Sequence, residues 1–214
     1  MYKITELLDL SHTQAGGYLS AYSYPWLSLN GLKGYLRGFG RILSRIEFEE
    51  IEREVWVHKS AQISPSACFI SPCIVGADTE IRHAAFLRGG VLVGKNCVVG
   101  NSTELKNCIL FDGAKAPHFN YVGDSILGHN AHFGAGVITA NVKSDKSEIV
   151  VKEQGEEFPT GLKKFGAVVG DGVEVGCNSV LNPGSIIGKN ARIYPLSCIR
   201  GVLPENTVFK NGRE

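Results

Sequence analysis

The sequence predicts a mainly β protein, a three-sided parallel β-helix with a short α-helical segment ahead of it. Three observations carry this expectation. A large apolar residue recurs at every sixth position over much of the chain. A small or β-branched residue follows four places later in most units. Glycine, at 26 residues, is spread through an apolar-rich chain rather than gathered in low-complexity tracts, as many tight turns of fixed geometry require.

The apolar series starts at Val57 and runs through Ile63, Phe69, Val75, Ile81, Leu87, Val93, Val99, Leu105 and Phe111. It resumes at Leu127 and Phe133, then at Val169, Val175, Leu181, Ile187 and Ile193. The small series includes Ala61, Ala67, Cys73, Thr79, Ala85, Val91, Cys97 and Thr103. A period of six matches neither a helix nor a long strand, so the chain must be reset by a turn after each short strand. Three such units close a triangle of about 18 residues, and stacked triangles bury a continuous apolar column. A β-sandwich would show looser spacing and strict alternation.

Residues 1–54 lack the repeat. From Pro25 and Trp26 onward, Leu29, Leu32, Leu36, Phe39, Leu43 and Ile46 recur at helical spacing, predicting an amphipathic helix that packs on the rod or on a neighbouring chain. Gly31, Gly34, Gly38 and Gly40 weaken it. The acidic run Glu47 to Glu54 reads as a solvated connector. The rod is expected over 55–205, with a tail at 206–214.

Composition narrows the function. A formal net charge of +1 gives no footing for a nucleic-acid partner. No apolar run approaches the roughly 20 residues that span a bilayer, and the start MYKITELLDL lacks the pattern of an export signal. None of the six cysteines forms a CxxC pair, and Cys73 and Cys97 fall on small-residue positions of the repeat. These features predict a cytoplasmic protein without disulfides or membrane contact.

Two interruptions of the period are expected to carry function. One is KAPHFNYVGDS, Lys115 to Ser125; the other is the polar stretch from Asn141 to Lys164. Residues 88–141, through LRGG, VGNSTELKN, KAPHFNYVGD and FGAGVITAN, resemble the acetyltransferase domain of bacterial bifunctional UDP-N-acetylglucosamine pyrophosphorylases. PHFNYVGDSILG, NVKSDKS, TGLKKFGA and GCNSVLNPG resemble its stand-alone and archaeal relatives more closely, over roughly residues 55–205. That resemblance implies a left-handed β-helix, a homotrimer with sites between subunits, and acetyl-CoA as co-substrate without a metal. The implied acceptor is an amino-sugar phosphate similar to glucosamine 1-phosphate.

The resemblance also implies roles. His118 falls on the family's catalytic base, and a histidine titrating near neutrality suits removal of an amine proton. Arg88 and Lys106 fall on cations that hold the sugar phosphate. Tyr121 and Asn141 fall on acceptor contacts, Ala135 on a position lining the thioester, and Cys177 on a serine near the acetyl-CoA arm. A loop lysine is matched by Lys143 or Lys146. His132 stands where the family carries an acceptor-binding asparagine; with Cys177, it is a departure that bears on the acceptor's identity. About 50 residues ahead of the rod are too few for a doubly wound nucleotide-binding domain. Two other readings are a trimeric scaffold or sugar-nucleotide-binding protein without turnover, and a zinc enzyme resembling γ-type carbonic anhydrases. The zinc reading would draw on His129 and His132, with His83 and His118 nearby.

Overall fold

The computed structural model describes residues 1–210. Among them the short strands stack into three sheets of nine, eight and seven strands, which form the three sides of a rod. Successive coils pair in parallel and in register: Val57 opposes Val75, which opposes Val93 on the first side. On the second side Ile81 opposes Val99 and Val99 opposes Ala116; on the third, Leu87 opposes Leu105 and Leu105 opposes Val122. These residues point inward and form one apolar column with the small series, including Cys73, Ala85 and Cys97. All six cysteines are free thiols, and Cys73, Cys97 and Cys108 are buried. Glycine is required where coils touch most closely. A Cβ on Gly94 would lie 2.7 Å from the amide nitrogen of Asp112 on the next coil.

The period of six fails at one place, and the reason is a corner. Between the third and first sides, one coil turns through Gly89 and Gly90, both at positive φ. The next two coils make that turn with one left-handed residue each, Asn107 at φ 47° and Asp124 at φ 46°. Each of these coils is therefore one residue shorter, and Val93 pairs with Leu110 rather than with Phe111. Phe111 instead joins the cluster outside the first sheet. The Lys115–Ser125 stretch is thus no interruption: Lys115–His118 and Tyr121–Gly123 are ordinary rungs.

The first sheet is buried on both faces, and its strands read as continuous apolar runs such as Cys73–Val75 and Val91–Val93. Its outer residues Trp56, Ile74, Leu92, Ile109, Ile126, Val168 and Ile186 are covered by the N-terminal segment and by part of the insertion. The expected single helix is divided. Pro25–Asn30 forms a 3₁₀ turn and Leu32–Ile42 the α-helix. Leu32 and Leu36 are buried, whereas Ile46 lies beyond the helix and is exposed. Gly40 faces the Trp56 ring, and a Cβ there would come within 2.2 Å of it. The helix thus packs on the rod of its own chain.

Two further segments differ from expectation. The acidic run is not a plain connector: Phe48–Glu52 is a strand paired antiparallel to Val55–His58, capping the first sheet, with Phe48 buried in the cluster outside that sheet. The Asn141–Lys164 stretch contains an antiparallel hairpin, Val150–Glu153 with Glu156–Pro159. Ile149, Val151 and Leu162 from this stretch are buried against the rod. At the far end the parallel ladder continues past residue 205, because Val208–Phe209 pairs with Arg192–Ile193. Among the described residues no helix is long and apolar enough to cross a membrane.

Candidate active site on one corner and the adjoining face

At the corner joining the second and third sides, the coils from Ile81 onward leave the second sheet through a left-handed residue, from Ala84 to Leu196. Main-chain hydrogen bonds stack these corners: the amides of Ser102, Phe119, Gly136, Asn178 and Leu196 donate to the carbonyls of His83, Asn101, His118, Ala135 and Cys177 on the preceding coils. His118, Ala135 and Cys177 therefore occupy equivalent places on three successive coils, about 4.8 Å apart per coil. The structure brings together the three residues that the resemblance assigns to proton transfer and to the acyl donor. The His118 side chain is exposed, and its imidazole makes no hydrogen bond among the described residues.

Asn120 fixes this corner from inside, although the sequence reading gave it no role. Its buried side chain accepts from the His118 amide at 3.1 Å and donates to the Gly134 carbonyl at 2.8 Å. One amide thereby ties the His118 turn to the coil of Ala135. Beside the column lies an open depression of about 350 Å³, lined by His132, Gly134, Gly176, Cys177, Tyr194 and Pro195 among others. His132 Nδ1 is 2.9 Å from the Glu174 carboxylate, its partner one coil on.

Tyr121 follows two residues after the corner and places its side chain on the third side. There it joins Arg88, Lys106 and Asn141, three residues the sequence named separately. Arg88 pairs with Glu104 at 2.6 Å, and Lys106 pairs with Asp124 at 2.7 Å. Asn107 donates to the other Asp124 oxygen at 2.8 Å, and the Asn141 amide donates to the oxygen that Lys106 also holds. Burial chiefly, and then the charges of Asp124 and Glu104, push the Tyr121 phenol above its ordinary range. A hydrogen bond from Asn141 acts in the opposite direction. Tyr121 is thus a neutral hydroxyl at physiological pH, able to donate or accept. Asp124, Asn107 and Glu104 were missed; the only sequence signal was the GDS that closes the matching block.

The loop lysines do not join this cluster. Lys143 donates to the Ser147 hydroxyl at 2.6 Å and to the Glu148 carbonyl, and Lys146 is exposed in a turn at φ 58°. Of the histidines considered for zinc, His129 is engaged at both ring nitrogens, by the Asp112 carbonyl and the Asn130 amide, and it stacks on His12 at 3.7 Å.

Comparisons with known proteins bear on the family of the chain. The family described as GMPPB C-terminal domain matches residues 69–155, and the bacterial transferase hexapeptide family (six repeats) matches residues 166–201. The bifunctional protein GlmU of Methanococcus maripaludis is 32% identical over 97% of this chain and 51% of its own length. A bifunctional sugar-1-phosphate nucleotidylyltransferase/acetyltransferase of Sulfurisphaera tokodaii is 32% identical over 91% of this chain and 49% of its own. The chain thus spans about half the length of these curated relatives. Among solved structures, the acetyltransferase domain of PglB from Neisseria gonorrhoeae, in complex with acetyl coenzyme A, aligns at 16% identity with a TM-score of 0.36. That alignment covers 71% of this chain and 54% of that one.

Proposed function

The chain belongs to the hexapeptide-repeat superfamily and is related along nearly its whole length to GlmU-type proteins; from that premise we propose that it is an acetyl-CoA-dependent N-acetyltransferase for an amino-sugar phosphate. The observation that carries the reading is the stacking of His118, Ala135 and Cys177 on one corner, beside the Arg88, Lys106, Tyr121 and Asn141 face.

In this reading the donor's thioester lies along the corner at Ala135 and Cys177. His118 takes a proton from the neutral amine of the acceptor as it attacks, and the new N–C bond forms at the thioester carbonyl. The carbonyl becomes a tetrahedral oxyanion. The Ala135 amide, which donates to no group among the described residues, is a candidate donor to it. Collapse breaks the C–S bond, and the proton held on His118 passes to the departing thiolate to give free CoA. Arg88 meets the phosphate, and Tyr121 and Asn141 orient the sugar. No metal enters this scheme.

The assembly we propose is a homotrimer with its sites between adjacent rods. Support comes from the third side, which no segment among the described residues covers and which exposes Ile70 and Ile138, with Phe119 at its corner. The His132–Glu174 pair borders the donor groove and favours an acceptor or donor contact of its own.

The test is release of free thiol from acetyl-CoA, dependent on glucosamine 1-phosphate or a related amino-sugar phosphate. His118→Ala should lose at least about a hundredfold in kcat with its Tm unchanged. Full activity in that variant with a proven acceptor would overturn the assignment. Tight acetyl-CoA binding without turnover across the acceptor panel would favour the scaffold reading.

A further inference from the structure

Asp124 has the only buried carboxylate among the described residues, with 4% of its surface exposed. The rod itself does not require a carboxylate there. The same turn between the third and first sides is made by Gly89 and Gly90 on one coil and by Asn107 on the next. Burying a charge is unfavourable unless it is paired and hydrogen-bonded, so its presence points to the groups it holds.

Those groups are specific. One carboxylate oxygen accepts from Lys106 Nζ and from the Asn141 side-chain amide, and the other accepts from Asn107. Asn141 also reaches Tyr121. The main chain extends the connection: the Asp124 carbonyl accepts the Gly166 amide at 2.9 Å, and the Asn141 carbonyl accepts the Phe165 amide at 3.0 Å. Both ends of the 142–164 insertion are therefore drawn together at this residue pair. A lysine with four freely rotating stem bonds would otherwise sample the open face, and the Asn141 amide would be free to flip.

We infer that Asp124 is the positioning residue of the acceptor pocket: its carboxylate holds Lys106 and Asn141 beside Tyr121, while its carbonyl secures the base of the insertion. The inference rests on the acyltransferase reading for its consequence and on the geometry alone for its substance. It also divides the two cations. Lys106 is fixed within the chain, whereas Arg88 and Glu104 are paired in the open and Arg88 can exchange its partner for a phosphate.

The experiment measures kcat and both KM values, for glucosamine 1-phosphate and for acetyl-CoA, in the full chain and in Asp124→Asn, Lys106→Met and the double variant, with the Tm of each. Asp124→Asn should raise the acceptor KM about tenfold or more and leave the acetyl-CoA KM within about twofold. The double variant should regain Tm lost by Lys106→Met without regaining acceptor affinity, and its acceptor KM should be no worse than that of the weaker single variant. An Asp124→Asn protein that loses Tm yet keeps its acceptor KM, or raises both KM values in parallel, overturns the inference. If the unmodified protein neither binds nor turns over the sugar phosphate, the functional reading fails instead. The crystal structure of Asp124→Asn then decides the positioning claim. Displaced Lys106 and Asn141 side chains support it; unmoved ones overturn it.

Discussion

The Lys106 ammonium lies 2.7 Å from an Asp124 oxygen, and this ion pair is far more enclosed than its neighbour between Arg88 and Glu104. Enclosure decides how each cation behaves. An exposed pair is screened and exchanges readily, whereas a buried one leaves an uncompensated charge when broken.

Arg88→Ala is accordingly expected to raise the acceptor KM without measurable change in Tm, because the Arg88 side chain is 47% exposed and its ion pair with Glu104 is open to solvent. Lys106→Met is expected to destabilise the protein by about 2–3 kcal/mol, since Asn107 and Asn141 still partner Asp124 but its charge is no longer balanced. Steady-state kinetics beside denaturant unfolding separate the two. Equal stability losses would contradict the distinction.

Asn120→Ala removes the three side-chain hydrogen bonds that help hold the His118 turn to the Ala135 coil. A cost of about 1–3 kcal/mol follows from the buried groups left without partners. In the proposed reaction kcat should fall more than either KM, because the His118 backbone shifts while both binding faces persist. An unchanged kcat would show that the corner keeps its shape without the asparagine.

The helix glycines divide by what surrounds them. Gly34 and Gly38 have open space where a Cβ would stand, so alanine at either should stabilise by up to about 1 kcal/mol. Gly40→Ala should instead destabilise by about 1–3 kcal/mol, because the Trp56 ring already occupies the space. Thermal unfolding of the three variants checks the opposite signs.

Alkaline pH should unfold the protein through its interior thiols. Burial pushes the Cys73 and Cys97 thiols from an ordinary value of 9.0 up to about 12, and Cys108 is raised by the same cause. A raised folded value means that the stabilising contribution is full below pH 9 and is lost as pH climbs toward 12. The loss is at most about 1.4 kcal/mol per thiol for each pH unit in that window. Cys97→Ala should show a shallower alkaline decline than the unmodified protein; an identical slope would remove the thiols as its cause.

The rod was legible because its inward positions answer to one rule, a large residue on the strand and a small one near the corner. Phe111 broke the reading because periodicity counts residues, while the structure counts corners. A single left-handed Asn107 does the work of two glycines, and nothing in a pattern of apolar residues reports that exchange. The same shift made Lys115–Ser125 resemble an interruption when it is two regular rungs. Arg88, Lys106, Tyr121 and Asn141 were found through resemblance, and they do converge on one face. Asp124 was invisible beside them. A short acidic residue in a GDS turn reads as solvated, and only its burial and its three side-chain donors reveal otherwise. The acidic strand Phe48–Glu52 was obscured for a related reason, since its stability comes from pairing with Val55–His58 rather than from its own composition.

The N-terminal segment runs against the direction in which the coils are built. The Tyr2 hydroxyl accepts from the Glu205 amide near the last rungs, and the Leu7 carbonyl and Asp9 amide meet Asp171. The His12 carbonyl meets Asp112, and Gly40 rests on Trp56 beside the first coil. The N-terminal segment must therefore wait for rungs made up to 203 residues later before it can dock in full. A stack whose coils touch only their neighbours could fray from either end independently. This strap joins both ends into one loop of contacts, so the loss of the final coil should be felt at the first, and unfolding should be cooperative over the rod's full length.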